Sequence, residues 1–501
     1  MTATKRIFSG SVAAWSKIAV TLIGQVALVP IFLSHWTLDQ YGCWLIIQSV
    51  TGLSTILSFG HQNFIGFEFL KCGVQNKQRL SLIFYSAIPY ALILGLIELS
   101  IIILLVYFGF LNSIFDPTNK LDTSLIKEAT SALIIQSIIW LLISCIGGLA
   151  GRLLAPLGYY PRNAWWGVWG AIITLLASII ALLLGEGILM TTVAIAMANL
   201  FYNIPLYFDF WNILTKNNIY PVKPDWSLGF RNIKKSFAVA INTFLELLRQ
   251  QGLRIFLSAL VGIKEMTAFS TMRTASNIVM QGIGTITNPI LPELMRFLKS
   301  NDQDRTDATL AFVWFTTVIL LAPTLVVLQY IMPDIFSMWT RGKVEYDPTV
   351  FGLFSVALII YAIGQPAVAV LQGNNLLKEQ LFISVLTTLI VIFGVIYFTP
   401  KLGVQGAAKV LVLAEGISCL FLVYFATRWL RKNKMLWSWK MFSLTLITAL
   451  IAVVLIYVKA NYQTINNIYL SASALLFLIF LGLFIHEMPQ LALTKIKNIV
   501  T

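Results

Sequence analysis

The sequence is poor in charged residues. Only 11% of its 501 residues are Asp, Glu, Lys or Arg, whereas 58% are hydrophobic. Such a composition excludes a water-soluble globule, because too few polar side chains remain to cover its surface. Continuous apolar runs of about 18 residues or more are typical of membrane-spanning helices. We therefore interpret the chain as a polytopic membrane protein.

Metal-binding and disulfide motifs are also scarce. The four cysteines are scattered through apolar runs without a CxxC pair, and the three histidines lie far apart. We therefore expect buried thiols, with no zinc site, no disulfide framework and no bound cofactor. The net charge of +14 would indicate nucleic acid for a soluble chain. In a membrane protein Lys and Arg collect in cytoplasmic loops instead, so we expect no nucleic-acid partner.

The hydropathy pattern predicts an all-α integral membrane protein with about fourteen transmembrane helices. Backbone groups in lipid must be hydrogen-bonded within their own segment, and these runs lack the alternation of a membrane barrel. The predicted spans are residues 10–34, 41–66, 81–109, 128–155, 163–184, 188–211, 236–261, 266–292, 308–332, 349–372, 378–399, 404–427, 437–458 and 465–486.

The basic residues predict the orientation of these spans. With the N-terminus inside, the opposite side holds only Lys120, Lys264, Arg341, Lys343, Lys401 and Lys459 among the loop cations. The much larger cytoplasmic set includes Arg152 and Arg162. This bias places both termini in the cytoplasm.

A basic link that contains two prolines divides the first twelve spans into two groups of six. We predict an N-lobe at residues 1–212, a cytoplasmic linker at 213–235 and a C-lobe at 236–427. A second basic stretch and two further helices occupy residues 428–501. No loop is long enough for a soluble catalytic domain, so we expect a protein that is not an enzyme.

Polar side chains recur at helical spacing inside four spans. Such residues are costly in lipid and usually face a bundle interior or a wet cavity. They lie on one face of each helix: Lys17 and Gln25 in the first span, Gln48, Gln62 and Asn63 in the second, Asn242, Glu246, Arg249, Gln250 and Arg254 in the seventh, and Arg273, Asn277 and Gln281 in the eighth.

The cations of this set predict an anionic cargo if they share one cavity. The predicted cationic lining is Lys17, Arg249, Arg254 and Arg273. Its predicted polar wall is formed by Gln25, Gln48, Asn242, Glu246, Gln250, Asn277 and Gln281. Cations at successive depths would lower the cost of carrying a phosphate or pyrophosphate across the membrane. Arginine in particular suits bidentate phosphate contacts.

Plainer interpretations of these residues stay open. Lys17 could snorkel to the cytoplasmic surface, and Glu246 with Arg249 could form a neutralised pair three residues apart. Arg254 and Arg273 could reach the lipid headgroups. The amides could simply form interhelical hydrogen bonds, which are common in membrane bundles.

Prolines inside spans permit bends in membrane helices. Pro289 and Pro292 follow the polar face of the eighth span, so we predict a hinge there. Glu98 and Glu415 are isolated acids without an evident partner on their own helix. The sequence assigns them no role.

Three segments resemble the polysaccharide transporter family, the Wzx-type O-antigen flippases of the multidrug/oligosaccharidyl-lipid/polysaccharide (MOP) exporter superfamily. The segments are PIFLSHWTLDQYGCWLIIQSVTGLSTILSFG at residues 30–60, LRIFLSALVGIKEMTAFSTMRTASN at 253–277 and NPILPELMRF at 288–297. The chain departs from the family pattern at Phe59 and Leu253, where acidic residues are frequent in the family. No ion-coupling scheme is therefore carried over, and coupling to Na⁺ or H⁺ stays open.

The resemblance implies a flippase of the bacterial inner membrane. It implies two lobes related by a pseudo-twofold axis along the membrane normal, with a cavity lined by helices 1, 2, 7 and 8. An undecaprenyl-pyrophosphate-linked oligosaccharide would cross from the cytoplasmic to the outer leaflet by alternating access, for cell-surface polysaccharides such as the O-antigen of lipopolysaccharide. Membrane lipids and other membrane proteins of polysaccharide assembly are the expected partners.

Three questions stay open after this comparison of motifs. The last two helices could form a groove for the lipid tail or could pad the C-lobe. A MATE-like antiporter for drugs or metabolites is an alternative function, although the basic excess in spans seven and eight argues against cationic cargo. A membrane-embedded glycan polymerase or ligase is the second alternative, although the predicted external loops are short.

Overall fold

Hydrogen bonding within each segment gives this chain a helical architecture. The computed structural model describes residues 3–73, 75–116, 121–374, 376–461 and 467–493, with only the backbone described for some helical residues. This part of the chain contains eighteen α-helices and no strand. The prediction of an all-α membrane protein is therefore confirmed.

The chain divides into two compact units, Met1–Thr267 and Ala268–Thr501. The first unit contains α1 (Ala3–His35), α2 (Leu38–Ser54), α3 (Ile56–Cys72), α4 (Lys77–Tyr107), α5 (Phe110–Phe115), α6 (Thr123–Ile139), α7 (Cys145–Leu153), α8 (Tyr160–Leu183), α9 (Ile188–Lys216), α10 (Trp226–Leu247) and α11 (Leu253–Val261). Helix α12 (Ile263–Lys299) begins in the first unit and continues into the second. The second unit adds α13 (Gln303–Trp314), α14 (Leu321–Thr340), α15 (Pro348–Gly373), α16 (Leu377–Lys432), α17 (Trp439–Asn461) and α18 (Asn467–Glu487).

The described helices account for the predicted spans. Nine are long and apolar enough to cross a membrane, or ten when the bent pair α2 and α3 counts as one span. Helix α16 covers two predicted spans, which meet at Gly403, where φ is 59° and ψ is −149°. Positive φ of this size favours glycine, because a Cβ atom would clash with the backbone. The remaining predicted spans fall on α10 with α11, on α12 and on α18.

Three π-helical turns interrupt the described membrane helices. They are Trp140–Ser144 between α6 and α7, Leu248–Gly252 between α10 and α11, and Phe315–Ile319 between α13 and α14. Such turns are rare in proteins, and those that occur often lie at functional sites. The second turn contains two of the predicted cavity residues, Arg249 and Gln250.

Helix α10 packs on α3 and α4 of the first unit. Gly60 permits this approach, since a Cβ atom at Gly60 would lie 2.5 Å from the Cβ of Ala240. On the same interface His61 Nδ1 lies 3.3 Å from Ser236 Oγ. The boundary between the two compact units falls within α12, after Thr267. The division into lobes at the linker 213–235 stays a prediction.

Each unit has an apolar core of its own. In the first unit, buried side chains of α3, α4, α7 and α9 form one cluster that includes Phe69 and Leu149. In the second unit a cluster around Trp314 includes Ala452 of α17 and Phe484 of α18. The last two helices are therefore part of the core of the second unit.

The contact at Gly60 can be tested by adding one methyl group. Gly60→Ala should lower the free energy of unfolding by about 1–3 kcal/mol, because the new Cβ overlaps the backbone of α10. Gly416→Ala is the matched control, since a Cβ there meets no atom within 4 Å, and it should be neutral or stabilising by up to about 1 kcal/mol. Thermal unfolding of the purified protein in detergent measures both. Equal melting temperatures of the two variants would contradict the proposed contact.

Candidate functional site

The first unit contains an open cavity of ≈ 1040 Å³, called here the first-unit cavity. Helices α1, α2, α3 and α6 to α9 contribute to its wall. The lining combines an apolar surface with side-chain amides and aromatic rings, which include Gln48, Gln62, Gln136, Asn163, Asn199, Asn203, Trp44, Phe59, Trp140, Trp166 and Phe210. Amides both donate and accept hydrogen bonds, and aromatic rings offer flat apolar faces. Such a wall suits a ligand with many hydroxyl groups and apolar faces, as sugars have.

Lys17 is the one charged residue in the described lining of the first-unit cavity, which contains no Asp or Glu. Its side chain lies against α8, where a Cβ atom at Gly167 would be 3.6 Å from the Lys17 ammonium nitrogen. Gln48 of α2 is part of the same lining, whereas Gln25 is half-buried on α1 outside this described lining. A cavity wall with a cation and without a carboxylate favours an anionic ligand.

A second cation, Arg152, lies beside the first-unit cavity. It counts among the predicted cytoplasmic cations, and the structure places it half-buried near the end of α7. Its Nε and Nη2 donate to Asn63 Oδ1 at 3.2 and 2.6 Å, and its Nη1 donates to Gln62 Oε1 at 3.0 Å. The guanidinium also lies over the Phe59 ring, 5.2 Å from the ring centroid. The sequence contains a signal for this burial, because Arg152 falls inside the predicted span 128–155 and follows three closely spaced glycines.

Glu98 occupies the break between α2 and α3, where the helix axes bend by 48°. The carboxylate is buried and accepts hydrogen bonds from the Ser58 N–H at 2.8 Å and the Ser58 hydroxyl at 2.7 Å. Trp140, which lines the first-unit cavity, donates to the same hydroxyl at 3.0 Å. The first N–H groups of a helix have no partner within the helix, and a negative charge at that end is favourable. Glu98, to which the sequence assigned no role, therefore caps α3.

A neutralised ion pair joins the start of α8 to α9. Arg162 Nε donates to Asp209 Oδ2 at 2.8 Å, and Arg162 Nη2 donates to Asp209 Oδ1 at 2.5 Å. Trp166 Nε1 adds a third hydrogen bond to this carboxylate at 2.7 Å. Arg162 also borders an aromatic groove of ≈ 710 Å³ that includes Trp169 and Phe201. Because its charge is paired, Arg162 differs in kind from Arg152.

The polar residues of the seventh span belong to the first unit. Arg254 Nη1 donates to Gln251 Oε1 at 3.3 Å, and Ser49 of α2 donates to the same oxygen at 3.3 Å. Arg249 is half-buried on the π-helical turn, and Gln250 and Glu246 are exposed. The Asn242 side chain lies outside the described part of the structure.

The polar residues of the eighth span lie on α12 in the second unit. Arg273, Asn277 and Gln281 follow one another at four-residue spacing and are all half-buried. Their convergence with the cations of the first unit stays a prediction. Pro289 and Pro292 fall within the helical backbone of α12, but their side chains lie outside the described part, so the hinge also stays a prediction.

The second unit carries an apolar groove of ≈ 570 Å³ beside its last helix. Its walls come from the segment Ile319–Val327 and from α18, including Pro323, Phe477 and Leu481. No charged side chain appears in the described lining of this groove. Across the described residues, no group of three or more His, Cys, Asp and Glu side chains is placed to hold a metal ion.

These features define a polytopic helical membrane protein with an open, amide-containing cavity inside one unit, and comparison with known structures identifies the fold. No family model and no curated protein matches the sequence. The lipid II flippase MurJ in an inward closed conformation is similar, with a TM-score of 0.65 and 16% identity over 95% of this chain and 97% of that chain. An inward-facing MATE multidrug resistance transporter of the MOP superfamily gives a TM-score of 0.64 at 12% identity, over 82% of this chain and 97% of that one.

A third similar structure is a MOP superfamily transporter from Pyrococcus furiosus, described with a binding pocket of reversed polarity. It has a TM-score of 0.57 at 13% identity, over 84% of this chain and 94% of that one. At these identities the similarity establishes the fold. The chain thus has the fold of MOP superfamily transporters and flippases, which confirms the predicted fold class. The narrower Wzx-type family stays a prediction.

The capping role of Glu98 predicts a stability loss when the carboxylate is removed. Glu98→Ala should cost about 1–3 kcal/mol, because it leaves the Ser58 N–H and hydroxyl without this buried acceptor. Glu98→Gln keeps one acceptor oxygen and should cost less. Glu68→Gln is the matched control, since Glu68 pairs with the exposed Lys71, and it should change stability by less than about 0.5 kcal/mol. Thermal unfolding in detergent ranks the three variants, and a loss for Glu68→Gln as large as for Glu98→Ala would contradict the cap.

Proposed function

We propose that this chain is a flippase for an anionic lipid-linked oligosaccharide. It would move an undecaprenyl-pyrophosphate-linked glycan from the cytoplasmic to the outer leaflet of a bacterial inner membrane by alternating access. The observation that carries the proposal is the first-unit cavity, whose described lining contains Lys17 and no carboxylate. A diphosphate headgroup needs a wet path with positive charge, because an unpaired charge in lipid costs several kcal/mol.

The composition of the cavity wall supports a glycan as the cargo. A volume of ≈ 1040 Å³ lies just above the range of about 300–1,000 Å³ usual for small-molecule sites. Amides such as Gln62 and Asn163 would bind sugar hydroxyls, and rings such as Trp44 would pack against the apolar faces of the sugars. The similarity in fold to a lipid II flippase agrees with a lipid-linked substrate.

The lipid tail would remain outside the polar cavity. The apolar groove between α14 and α18 offers a surface for an isoprenoid chain, in keeping with the first interpretation of the last two helices. The excess of Lys and Arg on one side of the predicted spans supports cytoplasmic termini for this flippase.

A MATE-like antiporter is the second candidate, because the fold is also similar to a MATE multidrug transporter. Cationic drugs would be bound by exposed acids in a cavity. The described lining of the first-unit cavity contains no Asp or Glu, and the buried carboxylate of Glu98 accepts hydrogen bonds from Ser58. The similar structures are flippases and transporters by name, which supports transport over a glycan polymerase or ligase.

The proposal predicts that glycan export depends on the cavity lysine. In a strain that lacks the chromosomal copy, Lys17→Gln should reduce surface polysaccharide at least tenfold, because the headgroup loses its cation, and Lys17→Arg should retain most export. Lys71→Gln is the matched control, since Lys71 is exposed and pairs with Glu68, and it should export normally. Lectin staining of the cell surface, with membrane levels of each variant measured by immunoblot, provides the comparison.

The predicted cations of spans seven and eight provide a second test of the same function. Arg249→Gln and Arg273→Gln should abolish glycan export while membrane insertion is unchanged. Normal export by correctly inserted variants would remove these residues from the proposed site. Efflux of a cationic dye driven by sodium or protons, together with unaltered glycan export in all these variants, would favour the antiporter.

A further inference from the structure

The described neighbours of Arg152 accept hydrogen bonds from its guanidinium group but carry no negative charge. Its hydrogen bonds go to Asn63 Oδ1, Gln62 Oε1 and, at 2.9 Å, the carbonyl oxygen of Gly148. All of these acceptors are neutral, and Phe59 presents an aromatic face. Removing a charge from water is costly unless a counter-charge or dipoles replace its hydration. Positive charge therefore remains at this point without a carboxylate among the described partners.

The surroundings of Arg152 hold the guanidinium in one place. Gly66 gives room for the arginine stem, since a Cβ there would lie 3.0 Å from Arg152 Cδ. Gly148 gives room for the Gln62 amide, which a Cβ at Gly148 would overlap. Gln62 Nε2 in turn donates to the carbonyl oxygen of Ser144 at 3.0 Å, on the π-helical turn Trp140–Ser144. The local backbone thus orients the Gln62 amide, and the Gln62 amide in turn orients the Arg152 guanidinium.

This cluster faces the first-unit cavity. Phe59, Gln62 and Gly148, all of which contact Arg152, are part of the described cavity wall, and so is Ser144. The guanidinium therefore lies one side chain behind the wall. The Gln62 amide separates it from the cavity.

We propose that Arg152, with Gln62 and Asn63, forms a second anion site of the first-unit cavity and binds a phosphate or diphosphate group. The guanidinium N–H groups would donate two parallel hydrogen bonds to phosphate oxygens, a geometry that arginine provides and lysine does not. Rotation of the two side-chain amides would turn their N–H₂ groups to the same anion. Lys17 supplies the other positive charge of this cavity.

The assignment of the site to a lipid headgroup rests on the proposed function, but the site itself does not. The same chemistry would take the diphosphate of a lipid carrier or a free inorganic phosphate. Binding of small probes to the purified protein tests the site directly. Export in cells tests the function separately.

The experiment measures binding of inorganic pyrophosphate and farnesyl diphosphate to the full chain in neutral detergent, by microscale thermophoresis at fixed ionic strength. Arg152→Gln should weaken both at least tenfold, and Arg152→Lys should restore only part of the affinity. Arg79→Gln removes the same charge from an exposed position and should leave both affinities unchanged. Unaltered binding by a folded Arg152→Gln protein overturns the proposal.

The variant Asn63→Asp distinguishes an anion-binding role of Arg152 from a purely structural role, in which Arg152 only links helices through hydrogen bonds. An aspartate oxygen at this position can accept the same two hydrogen bonds from Arg152, so the fold should be retained with an equal or higher melting temperature. The new carboxylate neutralises the guanidinium, and pyrophosphate affinity should therefore fall at least tenfold. A purely structural role of Arg152 predicts no change in pyrophosphate affinity. Wild-type affinity in Asn63→Asp therefore overturns the proposal even if Arg152→Gln does not fold.

The two probes distinguish the source of the anion. Farnesyl diphosphate that binds at least tenfold more tightly than pyrophosphate, with both dependent on Arg152, assigns the site to a lipid headgroup. Equal affinities, again dependent on Arg152, assign it to a soluble phosphate. If binding depends on Arg152 while glycan export does not occur, the site stands and the proposed function fails. If export occurs and neither probe depends on Arg152, the function stands and the site fails.

Discussion

The absence of water from a bilayer core is the constraint on which this structure depends. Every N–H, carbonyl oxygen and charge in the spans has to find its partner inside the protein or at a wet cavity. In the first unit the helices are interrupted at the helix break at Thr55 and at the π-helical turn Trp140–Ser144, among other places. Glu98 accepts a hydrogen bond from the backbone N–H at the first interruption, and Gln62 donates one to a backbone carbonyl at the second. Both residues lie at or beside the first-unit cavity.

The two interruptions connect backbone chemistry with the composition of the cavity. Glu98 caps the start of α3, and Trp140 links that cap to the cavity wall through Ser58. The π-helical turn directs a carbonyl oxygen to Gln62, which then faces Arg152. Irregular backbone at membrane depth is tolerated where it lines a cavity or is buried in protein. The polar side chains of this region therefore stabilise the helices and form the wall that a ligand would meet.

Charge pairing separates the arginines of the first unit into two kinds. Arg162 is neutralised by Asp209 through two hydrogen bonds, and the pair joins α8 to α9. Arg152 is held by amides and keeps its charge available. Both had been counted together as cytoplasmic loop cations in the sequence, because a count of basic residues contains no information about their partners. Phe59, at a position where the resembled family frequently has an acid, contributes a ring beside Arg152 instead of a counter-charge.

The sequence by itself determined the fold class and the approximate spans, because hydropathy is a local property of a chain in lipid. Helical periodicity made Lys17 and Gln48 candidates for a cavity wall, and both are in the described lining of the first-unit cavity. The rest of the predicted site stays a prediction. Only the tertiary structure decided that α10 packs with the first unit, that Glu98 caps α3 and that Arg152 is held without a carboxylate. Each of these depends on contacts between residues far apart in the chain, such as Gly60 with Ala240 and Asn63 with Arg152. Distances of that kind are set by helix packing, which the pattern along a single segment does not encode.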